Sequence, residues 1–183
     1  MYTKYLFIFF LANMAVVFGV FGQKSIKWMS WEEALEKSRN DKRKIFVDVY
    51  TDWCGWCKKL DKTTFAQEHI AEYINANYYP VKFDAESEKP IVLKGVEYKF
   101  VKQGRKGYHE LAGYLLQGRL SYPSMVFLDE DLNMIQAIPG YQDIGIFEMI
   151  ITYFGSNSHR SQPWNKFQST FNKSDYFMPE KKP

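Results

Sequence analysis

The chain has 183 residues, 46% hydrophobic and 18% aromatic, with a formal net charge of +3. That length supports one domain with a genuine core, and the apolar content excludes a largely disordered chain. The charge is too weak to argue for nucleic acid and no basic-aromatic motif appears, so no nucleic-acid partner is expected.

Residues 1–22 differ in kind from the rest. Lys4 is their only charge, and LFIFFLANMAVVFGVF, Leu6 to Phe21, is apolar except for Asn13. Gly19 and Gly22, with Val17 and Val20 just before them, offer small residues for cleavage. The stretch reads as a secretory signal peptide. An uncleaved N-terminal anchor is the alternative, because the run approaches a membrane span of about 20 residues. In either case the folded part is expected to be exported, periplasmic or secreted.

The mature part opens with WMSWEEALEKSRNDKRK, where Ser30 and Glu33 form a capping-box pattern. A helix is therefore expected from Trp31, with Trp31, Ala34, Leu35 and Ser38 on one face. KIFVDVYT is short and nearly all apolar, as suits a strand covered on both faces. Asp48 in its middle is the wrong residue for a buried strand unless it has a task. The following KKLDKTTFAQEHIAEYINANY lacks Gly and Pro and predicts one or two helices, with a break near Phe65 to Glu68. A second strand is expected from Tyr79 to Asp84.

Residues 86–107 are less regular. IVLKGVEYKFV suggests one hairpin around Lys94 and Gly95, and its lysines read first as a solvated edge, with a docking site for an acidic partner as the alternative. GYHELAGYLLQGRL predicts a helix with Leu111, Tyr114 and Leu115 on one face and Gly118 as its stop. SMVFLD and MIQAI predict neighbouring strands, and DIGIFEMIITYF a last helix ending at Gly155. Beyond it, Trp164, Phe167 and Phe171 are spaced for a short amphipathic helix that docks on the domain's own surface, with the last eight residues frayed.

Both cysteines lie in DVYTDWCGWCKKL, three positions apart. A disulfide closing so short a loop restricts the unfolded chain little, so it is a poor staple. Zinc needs about four ligands, and His69, His109 and His159 are scattered, so no metal is expected. Haem attachment needs His after the second cysteine, where Lys58 stands. A redox pair fits the context. Cys54 would start a helix directly after a buried strand, where the helix dipole and free N–H groups favour its thiolate. Cys57, one turn on, would resolve the mixed disulfide that Cys54 forms.

WCGWCK, with Asp48 six residues before Cys54 and Tyr122-Pro123 just ahead of SMVFLD, resembles the thioredoxin-like superfamily. WCGWCKKLDKTTF is most similar to exported thiol-disulfide interchange proteins, including the periplasmic C-terminal thioredoxin-like domain of the disulfide interchange reductase. The resemblance spans about residues 45–154. It implies an α/β thioredoxin fold: a central mixed β-sheet flanked by helices, with an insertion (about 86–107) before the cis-proline loop. The implied layout is a signal peptide at 1–22, a thioredoxin-like domain at 23–155 and a C-terminal extension at 156–183.

The resemblance also implies Asp48 as the acid that relays the Cys57 proton. Trp53, Gly55, Trp56, Tyr122 and Pro123 would line the substrate groove, with Tyr122-Pro123 cis. Trp53 is expected to be partly in the core and Trp56 exposed. No cofactor is implied. The partners implied are protein dithiols and disulfides and a membrane-borne dithiol electron donor, with the chain a monomer. A non-enzymatic binding or chaperone module on the same fold is the alternative. Gly55-Trp56 replaces the Gly-Pro of ordinary thioredoxins, and Lys82 lies two positions from where their lysine often neighbours the buried acid. With no His or Arg between the cysteines, the thiolate is weakly held and the expected potential lies between roughly −270 and −180 mV.

Overall fold

The computed structural model describes residues 24–177; the apolar run and the last six residues lie outside them. In chain order the elements are α1 (Trp31–Asn40), β1 (Lys44–Tyr50), α2 (Gly55–Thr63), α3 (Glu68–Asn77) and β2 (Tyr78–Asp84). Two hairpins follow, β3 (Ile91–Leu93) with β4 (Val96–Tyr98) and β5 (Phe100–Gln103) with β6 (Lys106–His109). Then come α4 (Glu110–Leu115), β7 (Ser124–Leu128), β8 (Met134–Pro139) and α5 (Ile144–Gly155). A 3-10 turn (Ser158–Arg160), α6 (Trp164–Thr170) and α7 (Ser174–Phe177) complete the described chain.

The central sheet has the order β2-β1-β7-β8, with β2 parallel to β1 and the other pairs antiparallel. It is a mixed sheet with helices on both faces, as the thioredoxin resemblance implies. Alternation along β1 sorts the core. Ile45, Val47 and Val49 join Trp31 and Ala34 of α1 and Leu111, Ala112 and Leu115 of α4 on one face. Phe46 points the other way, to Leu60 of α2, Ile70 and Ile74 of α3 and Phe147 and Ile151 of α5. Burial of each Val, Leu, Ile or Phe side chain among them contributes about 1.5–3 kcal/mol.

Local signals account for most of the element bounds. The Ser30 hydroxyl accepts from the Glu33 N–H at 3.2 Å while the Glu33 carboxylate accepts from the Ser30 N–H at 2.8 Å, closing the capping box of α1. The break between α2 and α3 spans residues 64–67, where Thr64 donates through Oγ1 to Gln142 O at 2.9 Å.

Three expectations need correction. The 86–107 segment builds two hairpins, because the second turn at Gly104 (φ 62°) folds Phe100–Gln103 back on Lys106–His109. α4 has only six residues, and Tyr114 is 51% exposed against Tyr98 of β4; the buried face is Leu111, Ala112 and Leu115. Tyr176 and Phe177, expected to fray, are packed, Tyr176 stacking on Phe171 and Phe177 lying against Tyr73.

Candidate active site

β1 ends at Tyr50, and residues 51–53 turn the chain over the end of the sheet into α2. Cys54 is the N-cap of α2: its Sγ accepts from the Cys57 N–H at 3.0 Å, and its own N–H donates to Thr51 O at 3.1 Å. The two sulfurs are bonded at 2.06 Å, with the Cα atoms 5.3 Å apart. Cys54 is 5% and Cys57 3% exposed. No acidic residue stands in the first turn of α2. A reduced Cys54 would face only the helix N–H groups and positive dipole end there, which favour a thiolate.

The Tyr122–Pro123 bond is cis. The next residue, Ser124, pairs with Val49 of β1, which brings the loop to the sheet end that carries the cysteines. Pro123 O accepts from the Gly140 N–H at 2.8 Å, and Gly140 supplies the φ of 86° needed there. The Tyr122 and Trp53 rings meet edge to face at 5.9 Å. Burial, then the nearby Glu86 and Asp84 charges, push the Tyr122 phenol up to about 12.

Trp53 is 61% exposed, contrary to the expectation of a partial core role. The strand stops three residues earlier, so its ring lies on the surface. There it is held by Tyr122, by a hydrogen bond from its Nε1 to Glu86 at 3.0 Å, and by Lys106 Nζ 5.7 Å above it. Trp56 is also exposed, tilted at 5.5 Å against Tyr141, with Lys59 Nζ 4.7 Å over its ring. A Cβ built on Gly55 meets nothing within 4 Å, so this position looks onto open space between the two tryptophans.

Asp48 is 1% exposed and sits on the Phe46 face of β1, the face on which α2 packs. Lys82, its neighbour in β2, places Nζ 2.7 Å from Oδ2. Neither carboxylate oxygen has a well-aligned hydrogen bond among the described residues. Burial raises the Asp48 acid to about 6; the Lys82 charge opposes this and Asp61 adds to it. Lys82 also donates to Asp61 on α2 and lies near the Trp28, Tyr50 and Phe65 rings. Burial would pull Lys82 down, but the two carboxylates outweigh it and hold the amine above its usual value.

Sequence reasoning missed Asp61 and Glu86. Asp61 was discoverable, since it follows Cys57 by four residues in a predicted helix and so shares its side. Glu86 was not, because its reach to Trp53 depends on how the insertion folds.

A mixed sheet of this order, a CxxC pair capping the helix after its central strand and a cis-proline loop beside it define a thioredoxin-fold protein with a dithiol site. The profile of the thioredoxin-like DsbH family, described as a protein of unknown function (DUF255), matches residues 19–139. The chain belongs to that family.

A Chlamydia pneumoniae protein named disulfide bond reductase DsbH is 24% identical over 108 residues, 58% of each chain. An uncharacterized Caenorhabditis elegans protein, B0495.5, is 27% identical over 60% of this chain but only 13% of its own length. Human spermatogenesis-associated protein 20 is 33% identical over 38% of this chain and 9% of its own. The chain thus spans a small part of these last two relatives. Among solved structures, a thioredoxin from Thermus thermophilus superposes with a TM-score of 0.53 at 16% identity, over 75% of this chain and 98% of that one. A candidate disulphide-isomerase from Bacteroides thetaiotaomicron gives 0.52 at 25% identity, with the same coverage.

Proposed function

We propose that this protein is an exported thiol-disulfide oxidoreductase that reduces or isomerises protein disulfides through Cys54 and Cys57. The observation that carries the reading is the Cys54–Cys57 disulfide closed across the first turn of α2, at the sheet end that holds the cis Tyr122–Pro123 loop. The name of the Chlamydia relative supports the same chemistry.

In the reduced protein the Cys54 thiolate attacks one sulfur of a substrate disulfide. A Cys54–substrate bond forms as the substrate's own S–S bond breaks, and the leaving sulfur takes up a proton. Cys57 gives its proton to Asp48, whose pKa, raised to about 6 by burial, suits exchange near neutrality. Cys57 then attacks Cys54 Sγ, closes the pair and releases the second substrate sulfur, which takes the proton held by Asp48, the first leaving sulfur having taken its proton from solvent. Two electrons and two protons have passed to the substrate. A chain segment of the substrate lies along Tyr122 and Pro123, with Trp53, Gly55 and Trp56 around the exposed approach to Cys54.

The apolar run at residues 6–21 supports export. In an oxidising compartment the closed pair must be reopened, so a membrane-borne dithiol donor is the upstream partner. The domain proper runs over residues 23–155, with 156–183 appended, and acts as a monomer.

Trapping tests the reading. Cys57→Ser should accumulate mixed disulfides with substrate proteins, while Cys54→Ser should form none and lose function. Cys54 should also alkylate faster than Cys57 at pH 6 to 7, with its pKa below about 8.5. Trapping through Cys57 would reverse the roles. Full function in Cys54→Ser would leave a binding module on the same fold.

A further inference from the structure

The β5–β6 hairpin takes no part in the chemistry above, yet it stands beside the redox site. Its base is fixed to the domain: the His109 N–H donates to Ala85 O at 2.6 Å and the Glu110 N–H to Lys99 O at 2.8 Å. Gly107 lets the Phe100 ring lie across the opposite strand, since a Cβ there would meet the ring at 2.2 Å and Val101 O at 2.5 Å. The turn at Gly104 and Arg105 is thereby aimed rather than loose.

Between this turn and the cis-proline loop runs a groove of about 440 Å³, lined among others by Trp53, Glu86, Arg105, Lys106, Leu120 and Tyr122. Its charges are unbalanced. Glu86 is engaged by the Trp53 N–H, and Lys106 lies over the Trp53 ring. Arg105 makes no ion pair among the described residues. The adjoining hollow adds Lys102, also without an ion pair, against Glu88. The groove thus sets Trp53, Leu120 and Tyr122 beside Arg105 and Lys106, two cations against its one carboxylate, Glu86.

We propose that the β5–β6 hairpin is a specificity element that favours disulfide substrates with acidic side chains flanking the reactive cysteine. Arg105 and Lys106 meet those carboxylates as the extended segment passes Tyr122. This rests on the redox reading of Cys54 and Cys57. It narrows the acidic-partner alternative for these basic residues to one occupant and one place, the substrate segment beside Tyr122.

The test uses the reduced protein and two peptides identical except for Asp or Lys on both sides of one cysteine. That cysteine is held as a mixed disulfide with thionitrobenzoate, whose release is followed by absorbance. At low ionic strength the Asp peptide should react about five-fold faster, the sum of a few exposed charge contacts. The ratio should shrink with added salt. Arg105→Glu with Lys106→Glu should abolish or invert it, Arg105→Glu alone should lower it, and Lys94→Glu, a reversal remote from the groove, should leave it unchanged. Equal rates for the two peptides, a ratio that survives the double reversal, or one that falls as much in Lys94→Glu would overturn the proposal. Hydroxyethyl disulfide separates the two levels. If the wild-type protein fails to reduce it, the redox reading itself falls and takes the hairpin's role with it; if it is reduced while the peptides react alike, only the hairpin's role falls.

Discussion

In the proposed mechanism, Asp48 is the residue on which stability and chemistry conflict. A carboxyl 1% exposed in the central strand, with Lys82 on one side only, is held at about 6 by burial against an ordinary value near 3.8. The folded state therefore binds this proton more tightly than the unfolded chain does. Its cost to folding is absent below about pH 3.8, grows as pH rises and is complete above about 6, on the order of 3 kcal/mol at most. Asp48→Asn should accordingly stabilise the protein at pH 7, less so because Lys82 loses one of its two partners. The gain should vanish near pH 4, as denaturant titration at the two pH values will reveal. The same variant should slow the step in which Cys57 resolves the mixed disulfide. Stabilisation with unchanged turnover between pH 6 and 9 would remove Asp48 from the reaction. Between the cysteines, Gly55 and Trp56 bring no charge to the Cys54 sulfur, and Lys59 is drawn aside over the Trp56 and Tyr141 rings. Titration in a glutathione buffer should place the pair between roughly −270 and −180 mV. A value above about −140 mV would make the protein an oxidase.

Among the elements, the proposed function gives chemistry to α2 and selection to the β5–β6 hairpin. α2 begins at Cys54 because β1 ends at Tyr50 and residues 51–53 complete the turn, so the strand's length sets where the sulfur lies. The hairpin depends instead on one glycine. Gly107→Ala drives a methyl into the Phe100 ring and into the Val101 carbonyl, which is backbone and cannot swing aside. Amide exchange over residues 100–109 should become much faster in this variant while β1 and β7 keep their protection. Unchanged exchange would mean that Phe100 repacks freely and that the turn is not aimed. The position reads in the sequence only as a glycine in a basic stretch, because the contact it permits lies across the hairpin.

For the molecule as a whole, residues 156–177 belong to the core in packing terms. Phe167 of α6 is 2% exposed and lies 5.0 Å from Tyr153, while Lys173 and His69 share the buried Glu148. Arg160 joins Lys44 on Glu130; burial would raise that acid, but Lys44, a backbone N–H and Arg160 outweigh it and hold it at about 2. Phe167→Ala should cost about 3–5 kcal/mol, the range for a buried aromatic, and lower the melting temperature measurably. A loss under about 1 kcal/mol would show that the segment rests on the domain without supporting it.

The strands and helices outside residues 86–107, the capping box at Ser30, the break before α3 and the dithiol motif were all legible in the sequence. Each is decided within one turn or one strand, by spacing and by local hydrogen bonding. Lys82 read in the sequence as two positions off the usual lysine, though on the same face of its strand; the β1–β2 register is what sets it opposite Asp48. The exposure of Trp53, its bond to Glu86, the second hairpin and the outward face of Tyr114 were not legible. All four depend on residues brought together from distant parts of the chain, and no periodicity of their own segment records the partner. The dithiol is therefore a property of the local sequence, while the surface that meets a substrate is a property of the fold.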